Sequence, residues 1–282
     1  MIFILVNSIE VLQNAKKGRY AVPASNVFNL LSIQAVLEAA KKNNSPLIVA
    51  LAEVHLDSIS IEECAMLVKY LAKDMNQEIV LHFDHGFTKE KVKQAIDCGF
   101  TSVMIDGSSL PYEENVKLTR EIVEYAHARN VSVEAEIGHV GGGESYLDPE
   151  LDDSQLTTVE EAVQFYKDTN VDSLAVSIGT AHGEYKGVPH LDFERLEAIS
   201  NALDIPLVLH GGSGSGDENL NKATKLGICK VNIFTDLTIA ARDACVNEFA
   251  SRSFYDSCTV AKKGYTEKLL HYYEIFETVK GE

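Results

Sequence analysis

The strongest constraint on this chain is a rhythm: eight short apolar runs, each followed by a longer stretch with helical spacing. The runs are Tyr20–Ala24, Pro46–Ala52, Ile79–Phe83, Thr101–Ile105, Val131–Ile137, Val171–Ile178, Ile205–Leu209 and Ile228–Phe234. Helical periodicity covers Leu30–Lys42, Ile61–Lys73, Lys89–Cys98, Glu113–Arg129, Val159–Asp168 and Phe193–Ala202. A further helix starts near Asp217, another spans Asp236–Phe249, and the remaining C-terminal residues read as helical. The runs are apolar without strict alternation, so they predict strands covered on both faces, as in a parallel sheet. Such strands can form an open doubly wound sheet or a closed barrel. The count of eight favours the closed (β/α)8, or TIM, barrel, an α/β fold. At 282 residues the chain has the size of one such barrel. We therefore expect a single domain over residues 1–282 with extra C-terminal helices.

The polar residues fall on one side of this pattern. Asp84 and His85 follow the third run, Asp106 ends the fourth, and Glu134 and Glu136 lie late in the fifth. His182 follows the sixth, His210 ends the seventh, and Asn232 lies late in the eighth. All would stand at the C-terminal ends of the strands, the face on which such barrels carry their chemistry. An acid beside an imidazole at the end of a buried strand costs folding energy unless it is bonded or used. His85, His182 and His210 are each followed by glycine, and three neutral imidazoles with an open fourth position make a catalytic zinc arrangement. Any one of them alone would be read as a packed core residue; the three together are read as metal ligands. His82 is read as support for the site, and His55, His127, His139, His190 and His271 as ordinary. The acids have plainer readings too. Asp84 could orient a histidine from behind, Glu134 and Glu136 could be interior charges met by a lysine or water, and Asp106 could cap a turn.

Gly211-Gly212-Ser213-Gly214-Ser215-Gly216 leads into the helix near Asp217, which would present unobstructed N–H groups at a helix start, a phosphate site. Asn232-Ile233-Phe234-Thr235 adds an amide and a hydroxyl, and barrels often bind phosphate between the loops after strands seven and eight. Gly141-Gly142-Gly143-Glu144 reads either as a flexible loop or as a hinged loop that delivers an acid. Charge limits the partners. With 25 Lys and Arg against 42 Asp and Glu the net charge is −17, which argues against nucleic acid or an anionic membrane. An anionic substrate then needs a local device, such as a metal or a ring of backbone amides. The five cysteines form no CxxC pair, which fits reduced thiols in a cytoplasmic protein. The apolar stretch Met1–Val6 is too short for a signal peptide or a membrane span.

At these residues the chain resembles the class II, zinc-dependent ketose-bisphosphate aldolases, the fructose- and tagatose-bisphosphate group. The matching pieces are Ala21-Val22-Pro23-Ala24-Ser25-Asn26, Leu81-His82-Phe83-Asp84-His85-Gly86, Val103-Met104-Ile105-Asp106-Gly107-Ser108 and Val133-Glu134-Ala135-Glu136-Ile137-Gly138. They continue in order with Gly179-Thr180-Ala181-His182-Gly183, Leu209-His210-Gly211-Gly212-Ser213 and Lys230-Val231-Asn232-Ile233. The resemblance implies that His85, His182 and His210 hold a catalytic Zn2+. Asp106 and Glu136 match a second or alternative metal position, with a monovalent cation as a further candidate. By the same likeness Asp84 exchanges a proton with the aldehyde-derived oxygen, and Glu144 with the ketose-derived carbon. Asn26, Gly183, Gly211, Gly212, Ser213, Asn232, Ile233, Phe234 and Thr235 match substrate-binding positions. The implied reaction is reversible cleavage of a ketose 1-phosphate or ketose 1,6-bisphosphate to dihydroxyacetone phosphate and an aldehyde, through a metal-stabilised enediolate. A homodimer or homotetramer is implied as well.

Two stretches depart from the family pattern. After the second run the family has a serine or threonine near the distal phosphate, where this chain reads Leu51-Ala52-Glu53-Val54, and an acid there would repel phosphate. Tyr272-Tyr273 stand where a phosphate-binding lysine or arginine is expected. The dihydroxyacetone-phosphate half is therefore expected to be intact and the aldehyde unphosphorylated. A Schiff-base route needs a lysine at the mouth; the sixth run has none, and Lys230 sits early in the eighth. The alternatives are a metal-dependent hydrolase on the same barrel and a non-catalytic barrel subunit.

Overall fold

The computed structural model describes residues 5–140, 156–183, 185, 187–246 and 253–281. Its strands are β1 (Val22–Asn26), β2 (Leu47–Ala52), β3 (Ile79–Gly86), β4 (Ser102–Ile105), β5 (Ser132–Ile137), β6 (Ser173–Val176), β7 (Leu207–Leu209) and β8 (Ile228–Ile233). They pair in parallel in that order, and β8 returns to β1 to close the barrel. The helices α2 (Leu30–Asn43), α3 (Ile61–Ala72), α4 (Lys89–Cys98), α5 (Tyr112–His127), α6 (Val159–Thr169), α7 (Phe193–Ala202) and α8 (Asp217–Lys225) connect successive strands. This is the TIM barrel that the eightfold pattern predicts.

Alternation along each strand divides its side chains between two layers. On β3, Leu81 and Phe83 join the large apolar core shared with the helices. Val80 belongs to a second, smaller cluster with Val22, Ala24, Ile48 and Cys229. That cluster is completed by Val11, Leu12 and Ala15 of α1 (Ser8–Gly18), which packs on β8 and β1. This helix has too narrow an apolar stripe to stand out in the sequence. The first strand also lies two residues later than its apolar run, because Tyr20 is drawn into the α1 cluster.

After β8 come α9 (Thr235–Val246) and the long α10 (Phe254–Ile275), which lies across α9 and α2. Tyr272 and Tyr273 are almost fully buried on α10. The Tyr273 hydroxyl donates to the Pro46 carbonyl at 3.0 Å, and Tyr265 donates to the Asn26 carbonyl at 2.7 Å. Tyr265 and Tyr273 thus fasten the last helix to the barrel, and neither Tyr272 nor Tyr273 lines the mouth. No helix among the described residues is long and apolar enough to cross a membrane.

If α10 is an integral wall, truncating its buried Leu269 (0% exposed) to alanine should cost about 2–5 kcal/mol. Denaturant unfolding would show this as one cooperative transition at lower denaturant, and an unchanged midpoint would mean that the helix is only loosely attached.

Candidate active site

The site starts with a distortion in β3. Strict alternation would send Asp84 inward and His85 outward into the helix layer. Instead His85 takes a left-handed backbone conformation (φ 44°), and the β3–β4 register shifts between Phe83 and Gly86. A kink of this kind re-aims a side chain at a strand end, and here it brings His85 to the mouth beside Asp84. Gly86 follows because there is no space for more: a Cβ would lie 2.4 Å from Val92 Cγ2 and 2.7 Å from the Met104 carbonyl oxygen.

His182 lies past the end of β6, and His210 directly follows β7. The ring of His85 lies 4.9 Å from that of His182 and 4.4 Å from that of His210, and the last two are 5.9 Å apart. His85 Nδ1 meets Asp106 Oδ2 at 2.8 Å, and His210 Nε2 meets Glu134 Oε1 at 3.0 Å. That leaves His85 Nε2, His182 Nε2 and His210 Nδ1 buried without a hydrogen-bond partner. Buried polar atoms are rarely left unpaired, and three imidazole nitrogens together are a donor set for a divalent ion. Ligand atoms of these three residues all lie within 4.8 Å of one another, as do those of His85, Asp106 and Glu136.

The acids around the rings differ in state. Burial would raise the Asp84 carboxyl, but His85, His82, Lys230 and His210 together hold it well below the usual range. Its two oxygens accept from the Asn26 amide at 2.8 Å and the Asn232 amide at 2.9 Å. Glu136, pushed up to about 8 by burial and then by Asp106, accepts from the Val140 N–H at 3.0 Å and has its other oxygen unpartnered. Asp106 also accepts from the backbone N–H and hydroxyl of Ser108. His182 falls to about 3, first through burial and then through the neighbouring His85 and His210. Burial opposes charge on His85 as well, yet Asp84, Asp106 and Glu136 raise it to about 9.

Glu134 is not among the mouth residues. Two positions before Glu136 on β5, it lies one layer deeper, where the Lys230 ammonium donates to its two oxygens at 2.8 and 2.7 Å. Lys230 is 1% exposed and also touches His82 Nε2 at 3.3 Å. His82 in turn meets the Ser102 hydroxyl at 2.8 Å through Nδ1. The lysine is committed to an interior ion pair, far from any role as an exposed amine.

The loops after β7 and β8 are braced against each other. Gly211 adopts φ +65°, and a Cβ there would lie 2.3 Å from the Ala181 carbonyl oxygen, so the backbone needs glycine. The Ser213 hydroxyl accepts from the N–H groups of Phe234 and Asp236 at 3.2 Å each. Some of the amides read from the sequence as free are engaged: Gly212 N–H on the Asn232 carbonyl, Gly214 N–H on Asp236. Asp236 also accepts from Tyr272. Asn26, Gly183, Gly211, Ser213, Asn232, Phe234 and Thr235 line a cavity of about 510 Å³ that opens beside the three histidines. Gly212 lies behind that lining, and Ile233 turns into the outer core because alternation directs its neighbour Asn232 inward. Glu144 and its glycines lie outside the described residues.

Two residues read as ordinary, His55 and His139, line the same cavity; their isolation in sequence gave no signal. Glu53 departs from expectation in the other direction. Its carboxylate accepts from the Phe87 N–H at 2.7 Å, which ties it to the loop after β3, and Glu53 is not among the residues that line the cavity.

The sequence pattern of the fructose-bisphosphate aldolase class-II family runs through residues 6–280. The chain belongs to that family. This aldolase is 43% identical over 245 residues, 86% of its own length and 83% of the relative's, to the 6-phospho-5-dehydro-2-deoxy-D-gluconate aldolase of Shouchella clausii. Its fold matches the crystal structure of the YdjI aldolase from Escherichia coli K12 with a TM-score of 0.88 at 32% identity, covering 98% of both chains. Fructose-bisphosphate aldolase from Campylobacter jejuni matches with a TM-score of 0.84 at 26% identity, over 98% of this chain and 97% of the other.

The interior ion pair of the aldolase gives a direct test. Glu134→Ala leaves the Lys230 ammonium buried without a counter-charge and should cost about 3–5 kcal/mol, whereas Glu134→Leu combined with Lys230→Met should recover much of it. Chemical denaturation of both variants would show this, and a single variant as stable as the parent would mean that water replaces the carboxylate.

Proposed function

We propose that the protein cleaves a ketose phosphate whose single phosphate lies beside the carbonyl, giving dihydroxyacetone phosphate and an unphosphorylated aldehyde. The observation that carries this reading is the set of three unpartnered imidazole nitrogens beside an ionised, doubly anchored Asp84. His85, His182 and His210 would hold a divalent ion, with zinc favoured by three nitrogen donors, and Asp106 and Glu136 would offer it an alternative position. When bound, such an ion supplies a Lewis acid for the ketose carbonyl and for the negative charge left by carbon–carbon cleavage.

The chain's own groups do the rest. Asp84 takes the proton from the hydroxyl on the aldehyde side of the scissile bond, and the Asn26 and Asn232 amides keep its carboxylate aimed. Glu144 returns a proton to the carbon of the ketone product. Gly183, Gly211, Ser213, Asn232, Phe234 and Thr235 hold the phosphate, beside the start of α9 at Thr235 where the helix dipole favours an anion. Pre-set positions of this kind convert binding into correct approach rather than into mere affinity.

A single phosphate fits the opposite wall. No lysine or arginine lines the cavity among the described residues, and Ala52, Val54, Phe87 and Val140 make much of that wall apolar. A second phosphate dianion would meet no cationic side chain there to hold it. The Shouchella relative is named for a substrate with a phosphate next to its ketone carbon and a carboxylate at the far end, the same division of charge. We further propose that the whole chain acts as one barrel domain, as a homodimer or homotetramer, in the cytoplasm.

Chelation should abolish cleavage and Zn2+ should restore it; turnover that survives thorough metal removal would contradict the reading. Asp84→Ala should lower kcat by about 10²–10⁴-fold, and a near-normal rate would reduce Asp84 to a supporting group. In a panel of ketose 1-phosphates and 1,6-bisphosphates assayed by dihydroxyacetone phosphate release, the monophosphates should be preferred. A strong bisphosphate preference would refute the single-phosphate assignment.

A further inference from the structure

His55 ends a short 3-10 turn, Glu53–His55, that follows β2 directly. The turn is fixed at both ends. Glu53 is tied to the Phe87 N–H, and the His55 ring packs on Phe234 with centroids 4.6 Å apart, alongside Phe28 at 6.5 Å. Phe28 and Phe234 meet edge to face at 5.9 Å, so three rings brace one another. An imidazole held this firmly would be expected to have both nitrogens satisfied. Yet His55 lines the cavity, and its Nδ1 is buried with no hydrogen-bond partner. His139, the other unassigned ring of the cavity, is already engaged with the Ser108 hydroxyl at 3.2 Å.

The position of His55 follows from the path a substrate must take under the reading above, on which this inference rests. The phosphate sits at the loops after β7 and β8, the carbonyl at the three histidines, and the scissile-bond hydroxyl at Asp84. Asp84 pairs in register with Ala52, the last residue of β2. Atoms beyond the scissile bond therefore leave past Ala52 and reach the turn that carries His55. Burial lowers the pKa of this ring, and the nearby Asp84 charge only partly offsets it. A neutral imidazole donates or accepts one hydrogen bond at each nitrogen; it cannot neutralise a phosphate dianion.

We propose that His55 is the residue that reads the aldehyde half of the substrate, hydrogen-bonding a hydroxyl or carboxylate oxygen on the carbon chain beyond the bond that breaks. It stands in place of a second phosphate site. The side chain is a specificity residue: it touches the departing half and takes no part in the proton transfers.

The test uses the zinc-loaded enzyme in the condensation direction and His55→Phe and His55→Gln variants. Aldehydes ending in a carboxylate, a hydroxyl and a phosphate are each paired with dihydroxyacetone phosphate. Deuterium exchange into dihydroxyacetone phosphate without any aldehyde reports separately on the ketone half. His55→Phe should raise KM about tenfold or more for the carboxylate- or hydroxyl-ended aldehyde that the parent enzyme prefers, the loss of one hydrogen bond. Zinc content, the KM for dihydroxyacetone phosphate and the exchange rate should stay within about twofold of the parent, and His55→Gln should recover part of the aldehyde KM. An unchanged aldehyde KM in His55→Phe, or an equal loss of aldehyde use and deuterium exchange, would overturn the assignment and leave the aldolase reading standing. Absence of exchange in the parent zinc enzyme would overturn the aldolase reading and this inference with it.

Discussion

The mouth of this barrel is organised by a charge buried beneath it. The Lys230 ammonium, 1% exposed, is held by both oxygens of Glu134, and Glu134 in turn meets one nitrogen of His210. An ion pair this deep is costly to form and costly to break, so its members occupy well-defined positions. The consequence reaches the surface of the site. With Nε2 committed to Glu134, His210 has only Nδ1 left for the space between the three rings. A carboxylate that fixes the orientation of an imidazole in this way is the usual support for a metal-binding histidine.

Around that interior pair the strands solve a second problem. Alternation would separate Asp84 and His85 onto opposite faces, and the left-handed backbone at His85 overrides it. The strained residue sits where an acid and an imidazole are brought to the same cavity, and strain of this kind is commonly found at functional sites. Glycines do related work across the mouth, since the close approach of Gly211 to Ala181 brings the His182 and His210 loops together. Asp236 links the glycine loop to Tyr272, so the C-terminal helix braces the loop after β7 from outside the barrel.

Much of the fold was legible in the sequence because parallel strands covered on both faces must be apolar throughout, and eight such runs have few ways to close. The helix α1 was not legible, since Val11, Leu12 and Ala15 mark only a narrow stripe. In the site, position along a strand mattered as much as residue type. Glu134 and Glu136 look alike in sequence, but two residues along β5 separate an interior counter-ion from a group at the mouth. Ile233 and Asn232 diverge for the same reason of alternation. His55 was invisible because nothing near it in the chain distinguishes it; only the turn after β2 brings it to the cavity. Glu53 is fixed by a contact that its own stretch of sequence does not show, the hydrogen bond from the Phe87 N–H of the loop after β3.

The chemistry assigned to this aldolase depends on His85, His182 and His210 sharing one divalent ion. X-ray absorption at the zinc edge of the loaded protein measures that sharing without reference to turnover. Three imidazole nitrogens at about 2.0–2.1 Å, with the remaining positions filled by oxygen, are the predicted first coordination sphere. A sulfur neighbour, or a sphere of oxygens with fewer than three imidazoles, would contradict it.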